Sequence, residues 1–105
     1  MTRVRVSAGV CGFSSVIKVE QIGHLKVSLK IVSACKLVRD MNEDLMVIDC
    51  RKGVFTPILD SIVYKSAHQR LRQHTDCPVP SAVIKAIQVE IGGAVPKDAY
   101  IQFEE

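Results

Sequence analysis

The sequence predicts a two-layer α+β domain, and three observations point there. Up to about Ser33 apolar and polar residues alternate with the period of a strand. Beyond Ser33 the apolar spacing becomes helical, and at Ala99, Ile101 and Phe103 it returns to alternation. Strands followed by helices, each with one apolar face, bury those faces against each other. The expected order is βββαααβ over residues 1–105 as a single domain: an antiparallel three-stranded meander, three helices on one face, and a C-terminal strand that rejoins the sheet.

Thr2 to Ala8 sets Val4, Val6 and Ala8 against Arg3, Arg5 and Ser7, the pattern of a half-buried strand. Gly9 and Gly12 around Cys11 break it into a loop. Val16 to Gln21 forms the second strand, Gly23 turns the chain, and Leu25, Val27, Leu29 and Ile31 alternate cleanly with Lys26, Ser28 and Lys30 in the third. Short connections make the three antiparallel.

Ser33 is placed to cap a first helix carrying Leu37, Val38, Met41 and Leu45, with Cys35 in its first turn. Met46 to Pro57 reads as loop with at most a short extended piece. Asp60 can cap a second helix, on which Leu59, Val63, Ala67 and Leu71 are read as the apolar residues. The third helix is expected from about Pro80 to Ile91, because proline is tolerated in a first turn and Gly92-Gly93 can end it. Its apolar residues Val83, Ile84, Ile87 and Ile91 are expected to pack on Ile17, Val27, Leu29 and Ile101.

Composition narrows the function classes. With 48% hydrophobic and 24% charged residues the chain resembles an ordinary soluble domain. No apolar run has the length of a membrane span, and the start has no signal-peptide core, so a cytoplasmic setting is expected. Net charge is +3, and Arg3, Arg5, Lys18, Lys26 and Lys30 fall on the polar sheet face with only Glu20 against them. Aromatic residues are 5% and none interleave with these cations, which argues against nucleic acid and for a solvated face. No phosphate loop or nucleophile elbow is present.

The chemistry is concentrated in cysteine. The four cysteines at 11, 35, 50 and 77 are too far apart in sequence for a finger or CxxC site, so only the fold can assemble them. Cys77 lies at a helix start, where unpaired N–H groups and the dipole favour a thiolate, both nucleophile and metal ligand. Cys11 follows the first strand and Cys35 the third, which places both at one sheet edge, and Cys77 joins them if the last helix begins there. Thiolates sharing a metal at ~2.3 Å lie roughly 4 Å apart, so sulfurs within about 10 Å are expected in an empty site. Cys50 after Val47 and Ile48 is expected to be a buried hydrophobe at a distance, or else a fourth ligand, a part that His74 or Asp76 can also play. His24, His68, Asp49 and Asp60 are read as surface, loop and cap residues.

The segments Ala8-Gly-Val-Cys11-Gly-Phe13, Ser33-Ala-Cys35 and His74-Thr-Asp-Cys77-Pro-Val-Pro-Ser81 resemble a family of small cysteine proteins without an established activity, found mainly in anaerobic bacteria and archaea. Most of the chain shares in that resemblance. In pattern alone, the layout is also similar to the U-type iron–sulfur cluster scaffolds, which carry a cysteine loop after the first strand, a cysteine opening a helix after the third, and a His-Cys pair opening a late helix. That similarity implies Cys11, Cys35 and Cys77 as ligands. Phe13 stands where the scaffolds have aspartate, and His74 is three residues before Cys77 rather than adjacent.

Three functions are compatible with these readings. The first is binding of zinc or an iron–sulfur cluster by Cys11, Cys35 and Cys77, with other cluster-assembly or sulfur-transfer proteins as partners. The second is a thiol enzyme, a persulfide carrier or reductase, with Cys77 as nucleophile. The third is an interaction domain whose cysteines belong to the core. The oligomeric state is not specified by the sequence.

Overall fold

A computed structural model describes all 105 residues. Four antiparallel strands in the order β1-β2-β3-β4 make one sheet: β1 Thr2–Ser7, β2 Ser14–Gly23, β3 Lys26–Ser33 and β4 Val47–Asp49. The helices are α1 Lys36–Asp40, α2 Asn42–Leu45, α3 Ile62–Arg70 and α4 Val79–Glu90. The α+β class and the antiparallel meander are as expected.

Register explains the two sheet faces. Val4 pairs with Ile17, which pairs with Ile31, and Val19 stands opposite Leu29, so the apolar set lies on one side under the helices. Arg3 pairs with Lys18, and Lys18 with Lys30, which makes a row of cations across the open side. The core comprises Ile17, Val19, Val27, Leu29 and Ile31 from the sheet and Val38, Met41, Leu45, Val63, Leu71, Val79, Val83, Ala86 and Ile87 from the helical layer.

The fourth strand is not the expected one. The C-terminal alternation pairs with nothing: no residue of 94–105 is in a strand, and Tyr100, Ile101 and Phe103 are exposed. Instead β4 comes from the stretch read as loop, with Lys26 opposite Asp49 and Ser28 opposite Val47, and it takes the outer edge of β3. An alternating pattern specifies a face but not an edge. The chain leaves α4 through Gly92, at a φ of 82°, and is carried away from the sheet. Ile101 therefore contributes nothing to the core, contrary to expectation.

The first helix is divided rather than continuous. The Met41 N–H bonds to the Val38 carbonyl and the Asp44 N–H to the Met41 carbonyl, the tighter three-residue spacing of a 3-10 turn. Asn42 then uses its side chain elsewhere: its Oδ1 accepts from the Ile31 N–H and its Nδ2 donates to the Ile31 carbonyl, both at 2.8 Å. The amide imitates the neighbouring strand just where β4 has ended. Ser61 rather than Asp60 precedes α3, since Ile58–Asp60 forms a separate 3-10 turn. The last helix covers β1 and β2, while α1 and α2 cover β3. Val83 and Ile87 are buried as expected, whereas Ile84 and Ile91 are only partly covered. No helix is long and apolar enough to cross a membrane.

Candidate functional site

Strand direction brings the cysteine segments to one end. β1 runs into a 3-10 turn, Gly9–Cys11, which Gly12 closes by donating its N–H to the Gly9 carbonyl at 2.9 Å. Gly9 and Gly12 have φ of 74° and 78°, in the left-handed region that a side chain resists, so the turn presenting Cys11 depends on both glycines. The Ala8 N–H bonds to the Phe13 carbonyl at 3.1 Å and seals its base. β3 ends beside this turn, and Cys35 follows as the N-cap residue of α1. Ser33 does not cap α1. Its Oγ accepts from the Cys35 N–H at 3.1 Å and from the Ser15 hydroxyl at 2.9 Å, a buried hydroxyl pair that ties the ends of β2 and β3.

Cys77 arrives from the helical layer. After α3, Arg72 adopts a φ of 55° and turns the chain. The His74 N–H returns to the Leu71 carbonyl and the Cys77 N–H to the His74 carbonyl, so His74–Cys77 makes a compact turn before Pro78 and α4. Cys77 thus lies two residues ahead of the first helical residue, Val79.

Cys11, Cys35 and Cys77 line one small cleft of about 50 Å³, together with His74, Asp76, Phe13, Ser15 and apolar residues of the core edge. Cys11, His74 and Asp76 are exposed; Cys35 and Cys77 are half-buried. All four cysteines are free thiols. No three of the His, Cys, Asp and Glu side chains stand close enough together to hold a metal ion in this conformation.

Electrostatics corrects one expectation. Burial pushes the Cys77 thiol above its ordinary pKa, although the Val79 backbone N–H beside it pulls the other way. Neighbouring charge on Cys35, Cys11 and Asp76 raises it further. The helix terminus is present, but desolvation outweighs it. The free protein therefore does not favour a thiolate at Cys77.

Cys50 is at the opposite end. It is 8% exposed, its N–H bonds to the Leu25 carbonyl at 2.7 Å beside the β2–β3 hairpin, and it does not line the cleft. Burial, and then the charge of Asp49, raises its thiol pKa. It behaves as the buried hydrophobe expected. Asp49 itself is held down to about 2, chiefly by the Arg51 guanidinium that binds it. Sequence reasoning did not identify Ser15 and Phe13 as cleft residues. The only available signal for Ser15 was a serine on the apolar face of a strand, a polar group that needs a buried partner.

The chain belongs to a family of unknown function (DUF6951), whose profile matches residues 2–103. No curated protein and no solved structure matches it, so the similarity to iron–sulfur scaffolds rests on the cysteine layout alone.

Proposed function

We propose that this protein binds a soft metal, as a zinc ion or an iron–sulfur cluster, with Cys11, Cys35 and Cys77 as ligands and with His74 or Asp76 to complete the set. One observation carries the reading: three thiols from three distant stretches of chain line a single cleft of about 50 Å³. A metabolite pocket is several times larger, typically ~300 Å³ or more, whereas one ion fits in this space. A single ion matches the size of the cleft, and the thiols must draw together to bind it.

The thiol chemistry supports a metal over a nucleophile. A reactive cysteine needs a lowered pKa, and Cys77 has the reverse, with burial as the largest cause. His74 is not among the groups that shift it. Charge on Cys35 and Cys11 also opposes ionisation of Cys77, an opposition that a cation bound between them would remove. Thiolate sulfur selects zinc, Cu(I) or iron–sulfur over harder ions. Two of the ligands sit in turns rather than regular elements, and the short inward movement needed for coordination is the kind that metal binding itself drives.

The test is anaerobic loading. Cobalt(II), or iron with sulfide, should give a visible thiolate-to-metal absorption band in the wild type. Cys11→Ser, Cys35→Ser and Cys77→Ser should each weaken or abolish it, and Cys50→Ser should leave it intact. Failure of the wild type to retain any of these metals refutes the proposal. A sulfane sulfur found on Cys77 by mass spectrometry after treatment with a persulfide donor would then favour the sulfur-transfer reading.

A further inference from the structure

Two unmatched halves of a strand pair remain in this fold. β1 is an edge strand, hydrogen-bonded on one side only, to β2. Residues 94–105 make no backbone hydrogen bond to the rest of the molecule. Yet Ala99, Ile101 and Phe103 alternate with Tyr100, Gln102 and Glu104, and Ile101 and Phe103 are 87% and 100% exposed. The family match runs to Phe103, so this segment belongs to the domain that the family shares. Unpaired edges and exposed strand-forming segments are each a liability, and one remedies the other.

We propose that the segment Ala99–Glu104 of one copy adds as an antiparallel strand to β1 of a second copy, reciprocally, to form a two-fold dimer.

Faces and charge together select the register. Val4 and Val6 point to the helix side of β1, and Arg3 and Arg5 to the open side. Ile101 and Phe103 must share the face of Val4 and Val6. An antiparallel strand achieves this with Ile101 opposite Val6 and Phe103 opposite Val4, which sets Gln102 opposite Arg5 and Glu104 opposite Arg3. Glu104 then supplies the negative charge missing from the Arg3–Lys18–Lys30 row. A parallel strand on the same face either places Tyr100 at Arg3 and Glu104 at Ser7, without an ion pair, or, shifted to bring Glu104 to Arg5, leaves Ile101 opposite Thr2 and Glu105 opposite Val6. Two β1 edges meeting directly in antiparallel register would bring arginine near arginine, which disfavours that contact.

A second copy is a better host than the chain's own β1. The end of α4 is tied to the beginning of β1, since Glu90 accepts from the Thr2 hydroxyl at 2.7 Å and from the Gln21 N–H at 2.8 Å. An antiparallel return onto the same β1 must start at the Ser7 end, so residues 91–98 would first have to run back along the strand, roughly 17 Å at about 3.3 Å per residue, and in the structure residues 94–105 leave their own β1 unpaired. Pairing with another copy imposes no such path. This inference is independent of the cysteine reading.

Light scattering on a sizing column tests it. The wild type should show about twice the 11.6 kDa chain mass at high concentration, and native hydrogen exchange should show protected outward-facing amides on β1. Ile101→Asp with Phe103→Asp should give a monomer with an unchanged far-UV spectrum, since neither side chain is in the core. Arg3→Glu should weaken the dimer by about tenfold at low salt, and adding Glu104→Lys should restore it. A wild type that is monomeric at every attainable concentration overturns the proposal. So does a dimer that survives Ile101→Asp with Phe103→Asp, or one indifferent to the Arg3–Glu104 exchange.

Discussion

Asn42→Ala should destabilise the fold well beyond what a half-buried polar residue would suggest. The Asn42 amide satisfies both the N–H and the carbonyl of Ile31, each at 2.8 Å, and Ile31 is 2% exposed. β4 cannot replace these bonds, because its pairing with β3 ends at Ser28, with one further bond from the Leu29 N–H to the Met46 carbonyl. Two hydrogen bonds at a net ~0.5–1.5 kcal/mol each give a loss of about 1–3 kcal/mol, towards the upper end if no water enters. For a domain of this size that is a drop in Tm on the order of 5–20 °C. Asn42→Asp separates the two bonds: its carboxylate still accepts from the Ile31 N–H but faces the Ile31 carbonyl without a proton. The Asp variant should be as unstable as the Ala variant at neutral pH and recover part of the loss in acid, where its protonated oxygen can donate. Thermal and urea unfolding of both variants across pH provides the assay. An Asn42→Ala midpoint equal to wild type, or an Asn42→Asp variant of full stability at pH 7, would refute the argument that this amide acts as a surrogate strand.

Three further expectations follow from the packing and the charges. Ile87→Ala, at a position with no exposure beneath α4, should cost about 2–5 kcal/mol by urea unfolding, and an unchanged midpoint would place the wrong helix face inward. Glu90 lies below the ordinary glutamate pKa, first because the Thr2 hydroxyl bonds to it and then through the Gln21 N–H. Its folded pKa is depressed, so its contribution is complete above the unfolded value of about 4.3 and disappears as pH falls through the folded one; Glu90→Gln should flatten that part of the acid limb, and an identical limb would refute it. Arg72→Gly, at a φ of 55°, should be neutral or stabilising by up to about 1 kcal/mol, whereas a substantial loss of Tm would mean that the arginine side chain rather than the backbone matters there.

What could be read from the sequence was whatever repeats within one element. Strand alternation gave β1 to β3 and the faces of their residues, because a period of two leaves no choice of side once one face is apolar. The cysteine end was legible for the same reason: strands of known direction place the residues after β1 and after β3 at one edge, and Cys11 and Cys35 follow those strands. Competition between elements was not legible. Val47–Asp49 is too short to show a period, yet it follows directly on α2 and lies along the edge of β3, flanked by the Leu29 N–H bond to Met46 and the Cys50 N–H bond to Leu25. Ala99 to Phe103 has the better pattern, yet in the structure it leaves the free edge of β1 unpaired. The balance at Cys77 was hidden in the same way. Its place before a helix is written in Cys77-Pro78-Val79-Pro80, but the sign of its pKa shift depends on how deeply that turn is packed against the Cys35 and Cys11 segments. Local sequence thus places a thiol beside helix N–H groups, and tertiary burial decides that those groups do not prevail.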